Sequence, residues 1–429
     1  MDLSRSHRAA FRILGVALVL GAIEGLSLLA IPLSRPLLVE EIRTTGDIFR
    51  EQTKLIERLL DSQMLALDPV LGWRYRAGYR DSLNTINSQG LRSTRRYALD
   101  PPRGVLRVAA FGDAFVYGND VADSTAWPAL VEQLFPQIEV LNYGGGGYSV
   151  DQGYLRFCAE GTALAPRIVI IGFATDDLRG VVNVYRRFLA NREIPLVKPR
   201  FTLDARGRLA LLPNPLRYPS DYQRYLRSPK SVVELGADDY WYHPGIYRDP
   251  IYDYSATVRL LTNLWLRVDE RYVASDRLLR HGEFNPSSTA FRIQMSLFEH
   301  FAAAIRAAGA RPIVVLFPDR ESLEQARRGR ETIFAPLVRE LVAHEIEHVD
   351  LTEAFLEAQG VMSSWFLPVG DYSRHYAPAG NRVVAQWLGR EVLARAPAAR
   401  PSDSVWRSRD STAGRWPPGC PERDKPATR

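Results

Sequence analysis

The chain has 429 residues, of which 46% are hydrophobic and 24% charged, a balance that supports a buried core and excludes an intrinsically disordered chain. Its net charge of +6 does not mark a nucleic-acid binder. Only four of the 55 basic residues are lysines (Lys54, Lys198, Lys230, Lys425), the arginines are scattered, and no aromatic-basic RNA-binding motif occurs, so no nucleic acid is expected as a partner. Two cysteines are present without metal-ligand spacing; Cys158 falls in a predicted helix as a small core residue, and its pairing with Cys420 stays open.

The first predicted element is an apolar run over residues 13–33, about 21 residues and long enough to span a bilayer. Arg5, Arg8 and Arg12 flank its N-terminal side, which puts the first residues in the cytoplasm and the bulk of the chain outside. Glu24 interrupts the run at a cost of about 3 kcal/mol near a bilayer centre, against roughly 4–7 kcal/mol gained from its twelve Leu, Ile and Val residues. No clear small-x-small cleavage site follows, so an uncleaved signal anchor over 1–36 is expected rather than a removed signal peptide.

Residues 37–66 place Ile42, Ile48, Leu55, Ile56, Leu59, Leu60 and Leu65 at roughly helical spacing, which reads either as a stalk helix outside the membrane or as a helix packed on the domain. Residues 67–104, with Gly72-Trp73-Arg74 and Ile86-Asn-Ser-Gln-Gly-Leu-Arg92, read as a lead-in arm covering a sheet. From 105 to 396 strands and helices alternate. Strands are predicted at 105–111, 138–142, 167–173, 312–317 and 348–351, with helices at 126–135, 151–163, 290–308, 321–345 and 379–394. Residues 181–288, rich in Tyr, Pro and Arg, break the pattern as an insertion near the active-site edge. Residues 397–429 have the composition of a disordered tail. The alternation implies an α/β fold with a mostly parallel sheet flanked by helices.

In such sheets ligand sites lie beyond the carboxyl ends of the strands. Four blocks fall there: Gly112-Asp113-Ala114, the run Asn142-Tyr-Gly-Gly-Gly-Gly147-Tyr148-Ser149, Gly172-Phe-Ala-Thr175-Asp176-Asp177, and Asp371-Tyr-Ser-Arg-His375 before the last helix. In order and spacing they resemble the SGNH (GDSL-type) hydrolases, over about residues 70–395. The resemblance implies a three-layer SGNH/flavodoxin-like sandwich and an ester-hydrolase site with no cofactor. It places Ala114 at the nucleophile position, Gly147 at the oxyanion-hole glycine, Asp176 at the oxyanion asparagine and His375 at the base. A methyl group cannot attack a carbonyl, and a carboxylate at 176 opposes a developing negative charge. A register slip of one residue would offer Thr175 as donor instead. The family aspartate falls two or three residues before the histidine, here Ser373 or Tyr372, whereas Asp371 stands four before it and would reach only from a bent loop. One engineered Ser-to-Ala change would alter one position; three departures point to natural loss of the reaction.

The expectation is therefore a catalytically degenerate, single-pass protein of a bacterial inner membrane, its main domain extracytoplasmic, whose partners are an acylated polysaccharide or an envelope protein. Asp113, Ser149, Tyr240, Trp241 and Tyr242 are candidate ligand contacts, the aromatic rings by stacking on sugar faces. The alternative is an active carbohydrate esterase or O-acyltransferase with another nucleophile, Ser149 first. A zinc hydrolase is a third reading, because His344-Glu345-Ile-Glu-His348 matches H-E-x-x-H. His348 runs directly into a predicted strand, so the helix that motif needs is expected to end too early, and no metal is assigned.

Overall fold

The computed structural model describes residues 5–34, 41–191, 193–368, 375–396 and 418–421. The chain forms two compact units: Met1–Asp61 with Tyr185–Leu196 and Pro219–Arg277, and Ser62–Val184 with Val197–Tyr218 and Leu278–Arg429.

The second unit is built on five strands: β1 (Leu106–Phe111), β2 (Ile138–Asn142), β3 (Ile168–Ala174), β4 (Arg311–Phe317) and β5 (His348–Asp350). Their order across the sheet is β2-β1-β3-β4-β5, every pairing parallel. This is the doubly wound, flavodoxin-like order, which reverses direction between β1 and β3. The central strand Ile-Val-Ile-Ile-Gly-Phe-Ala is buried along its whole length, as a strand covered on both faces requires. On one face Val108, Ala110, Ile168 and Ile170 pack with Trp127 and Leu130 of the helix Trp127–Leu134 and with Val384 and Leu388 of the helix Pro378–Ala394. On the other, Phe111 stacks on Tyr143 at 4.5 Å and meets Phe157 and Phe301 edge-on, from the helices Val150–Glu160 and Thr289–Ala307. The expected α/β sandwich is the fold observed. One predicted helix is corrected: the segment 321–345 is two helices, Arg320–Arg327 and Ala335–Ala343, separated where Gly329 takes a left-handed φ of 71°.

The lead-in arm is tied to this sheet by a buried cation. Arg107 and Glu139 face each other across β1 and β2, with Arg107 Nη2 donating to Glu139 Oε2 at 2.7 Å. Arg107 Nη1 donates to the carbonyls of Ala98, Leu99 and Leu164. A disulfide joins Cys158, in the helix Val150–Glu160, to Cys420. Apart from residues 418–421, the expected disordered tail lies outside the described residues.

The first unit holds the helix Arg5–Leu33, whose segment His7–Leu33 is long and apolar enough to cross a membrane. The helix Thr45–Leu60 opens on a Thr44 cap and buries Ile48, Phe49, Gln52, Ile56 and Leu59. It is a packed helix: Tyr185 donates its hydroxyl to Gln52 Oε1 at 2.8 Å, and Gln52 Nε2 donates to the Pro229 carbonyl.

Candidate active site at the carboxyl edge of the sheet

The chain reverses winding between β1 and β3, and that crevice is where doubly wound sheets bind ligands. β1 ends at Phe111, and Gly112 leads into the one-turn helix Ala114–Tyr117. Asp113 caps that turn, accepting from the Phe115 amide at 2.9 Å. The Ala114 methyl stands on this turn, with the residue 8% exposed. Burial pushes the Asp113 carboxyl up to about 6, against the pull of its amide bond and of nearby His375.

The glycine run after β2 lies against the same turn. The Gly145 amide donates to the Gly112 carbonyl at 3.0 Å, and a Cβ at Gly144 would stand 2.3 Å from the Tyr117 nitrogen. Gly147 has φ +74°, a conformation that favours glycine. The arm motif Gly72-Trp73-Arg74 pins this loop. Trp73 Nε1 donates to the Gly146 carbonyl, the Gly146 amide donates to the Tyr75 hydroxyl, and Tyr148 donates its hydroxyl to the Trp73 carbonyl.

After β3, the two aspartates have different surroundings. Asp176 is exposed, so water screens its charge. Asp177 is the carboxylate turned inward: it is 2% exposed and accepts from the Ala174 amide at 2.8 Å. Burial, and then the neighbouring Asp113, push its carboxyl well above the usual range. The Thr175 hydroxyl is buried and has no hydrogen-bond partner among the described residues. The donor expected from a one-residue register slip is thus an unspent hydroxyl.

His375 reaches this edge from the segment before the last helix. Its ring meets Phe115 edge-on at 5.5 Å. Tyr376 beside it is buried and donates to the Pro318 carbonyl after β4, and Asn381 bridges the Trp127 amide to the Tyr376 carbonyl. The carboxylate on His375 Nδ1 is Asp120, at 2.7 Å. That hydrogen bond holds the Asp120 carboxyl below its usual range. Asp120 sits at φ +64°, in the left-handed region that Asp tolerates better than most residues. Asp371, Tyr372 and Ser373 lie outside the described residues.

Arg92, from the arm motif ending Gly-Leu-Arg, holds the loop that carries Asp120. Its guanidinium donates to the carbonyls of Tyr117, Gly118, Val121 and Leu83 and to Asp123. Sequence reasoning missed Asp120, Asp177 and Arg92. The legible signal for Asp120 was a lone acid in the Gly118-Asn-Asp turn, only six residues beyond Ala114.

Ser149 is 1% exposed, and its hydroxyl stands 1.9 Å from where a Cβ on Gly180 would be, so it faces the wall of the unit. Tyr240, Trp241 and Tyr242 belong to the first unit. There Tyr240 donates to the Asp276 carbonyl, Trp241 is buried, and Tyr242 stacks on Tyr247 at 5.4 Å. The zinc reading loses its geometry. The helix ends at Ala343, Glu345 turns to φ +54°, and His348 is the first residue of β5. His344 pairs instead with Glu299, and no metal-competent cluster occurs among the described residues.

No family model and no curated protein matches the chain. It is similar to solved structures of lipolytic hydrolases. A member of the lipolytic protein G-D-S-L family from Veillonella parvula is 14% identical, with 68% of this chain and 100% of that one covered and a TM-score of 0.30. The lipase/acylhydrolase from Enterococcus faecalis is 13% identical, with 70% and 100% covered and a TM-score of 0.30. A two-domain esterase active on acetylated mannans is 11% identical, with 70% and 52% covered and a TM-score of 0.32. Superpositions of this extent fix no residue correspondence, so the site rests on the geometry above.

Proposed function

We propose that this chain is a membrane-anchored, extracytoplasmic SGNH-type protein that binds an acylated envelope polysaccharide without cleaving it. The observation that carries this reading is the Ala114 methyl on the turn after β1, where a serine hydrolase presents its hydroxyl. Around it, Asp113 and the unspent Thr175 hydroxyl offer polar contacts to a ligand. The basic residues before the apolar helix support an outward-facing domain, and the Cys158–Cys420 disulfide suits an oxidising compartment. The test is to incubate the full chain with an acetylated and a chemically deacetylated form of one polysaccharide. Retention of the acetylated form with no release of acetate is the expected result; acetate release above background would overturn it.

One observation favours a second reading. The His375–Asp120 pair has the geometry of a general base with its orienting acid. Such a base could take a proton from water, which would attack the ester carbonyl; the imidazolium would then return the proton to the leaving alcohol. That reading requires acetate release that is lost in both His375→Ala and Asp120→Asn.

A further inference from the structure

The apolar run of residues 13–33 spans about 31 Å as a helix, so a hydrocarbon core of about 30 Å needs its whole length. Yet the last third of that helix is not surrounded by open space. Residues 7–22 are exposed on all sides, while Ser27 and Ser34 are buried within the first unit. The element on this face is the helix Ala256–Val268 from the insertion. Glu24 caps it: the carboxylate accepts from the Ser255 hydroxyl, the Ala256 amide, and the Thr257 amide and hydroxyl. The Ser27 hydroxyl lies within hydrogen-bond distance of the Thr257 hydroxyl, at 2.9 Å. A carboxylate at the positive end of a helix satisfies amides that would otherwise lack partners. The acidic residue that interrupts the apolar run is thus spent on the insertion.

The outer face of the insertion helix is apolar. Leu261, Trp265, Val268 and Tyr272 are 59, 57, 43 and 65% exposed. The spacing of four and three residues puts Leu261, Trp265 and Val268 on one stripe, and Tyr272 follows in the π-helical turn Asp269–Val273. Arg259 and Asn263 turn away from it, while at its C-terminal end Arg267 pairs with Glu270 and Arg271 lies over the Tyr272 ring. Arg259 donates to the Tyr252 and Asp253 carbonyls, and Asn263 to the Tyr252 hydroxyl and Arg259 carbonyl. A water-facing helix would present the opposite pattern.

We infer that the helix Ala256–Val268 is a membrane-embedded element: it lies in the leaflet that holds the C-terminal third of the anchor, with the Leu261–Trp265–Val268–Tyr272 stripe against lipid. Continuity with the anchor selects lipid as the occupant, since both helices share one depth. The insertion thus fixes the first unit on the bilayer at two helices rather than one. This inference rests on the anchor reading above.

The experiment uses the full chain in vesicles of phosphatidylethanolamine and phosphatidylglycerol. Nitroxide labels are placed singly at Leu261→Cys, Trp265→Cys, Leu18→Cys in the anchor, and Leu99→Cys on the exposed surface of the second unit; the native cysteines are bonded to each other. Collision with oxygen reports lipid, and collision with a water-soluble nickel chelate reports water. The oxygen-to-nickel ratio at 261 and 265 is expected to match that at 18 and to exceed that at 99 several-fold. A ratio at 261 and 265 equal to that at 99 would overturn the inference. Exclusion of both reagents there would also overturn it, and would point to a second copy or another protein on the stripe. A water-like ratio at Leu18 would instead sink the anchor itself.

Discussion

The loop after β1 and the loop after β3 face the same crevice but are held in different ways. The β1 loop is over-determined. Arg92 gathers four of the carbonyls in and around it, Asn142 Nδ2 donates to the Tyr117 carbonyl, and Trp127 Nε1 donates to the Phe115 carbonyl. Its polar groups are matched, and it carries Asp120, the partner of His375. The β3 loop leaves a buried hydroxyl unmatched at Thr175 and a buried carboxyl with a raised pKa at Asp177. Buried polar groups without partners are rare and call for an explanation. On the proposed reading a ligand would supply the missing partner: the β1 loop would form a rigid wall, and the β3 loop would offer the Thr175 hydroxyl.

The largest effect is expected from breaking the rigid side. Arg92→Met removes a buried guanidinium and strands several carbonyls, together with Asp123, at a cost of about 3–5 kcal/mol. Thermal unfolding should fall accordingly, and Arg92→Lys should recover little, because an ammonium cannot copy the planar fork. A loss below about 1 kcal/mol in Arg92→Met would show that the loop is held by other contacts.

The next effect is on chemistry. Because Asp120 already orients His375, restoring the hydroxyl needs no new acid at Ser373. Ala114→Ser should create measurable aryl-acetate turnover, of order tenfold over background, and Asp120→Asn should abolish that gain. Asp176→Asn should add only a modest further factor, since Asp176 is exposed. Thr175→Val in the Ala114→Ser background should reduce turnover, as loss of one oxyanion donor does elsewhere by about 2.7–4 kcal/mol. A larger gain from Asp176→Asn than loss from Thr175→Val would reverse the assignment of donor.

A smaller effect concerns pH. The Asp113 carboxyl is raised from its ordinary value to about 6 by burial, so the folded state binds a proton that the unfolded state has released between those pH values. Stability should therefore fall as pH rises from about 4 to 6. Asp113→Asn keeps an oxygen for the Phe115 amide and carries no charge. It should flatten this window and raise stability at pH 8 by roughly 1–3 kcal/mol. An Asp113→Asn protein with the parent's pH profile would show that another group titrates there. The smallest effect is at Ser149→Ala, which should leave binding and turnover unchanged, because that hydroxyl faces Gly180 inside the wall.

The sheet was legible because each strand is a short apolar run bounded by turn residues, and the strand ends marked the crevice directly. The loops that carry Ala114 and Gly147 were legible as strand-end turns because short local blocks announce them. Asp120 and Arg92 were not. Their roles depend on a pairing of residues 255 positions apart and on a guanidinium reaching a loop some 25 residues away, and neither leaves a periodic trace. The two aspartates after β3 could not be told apart by sequence either, because burial, not residue type, decides which one is costly. Glu24 looked like a penalty within an apolar run; only the fold shows the helix end that it caps.

Whether the site binds without acyl transfer is decided by aryl-acetate turnover of the unmodified full chain, measured beside His375→Ala. The two proteins are expected to match each other and the uncatalysed rate. Robust turnover in the unmodified protein that His375→Ala abolishes would contradict it.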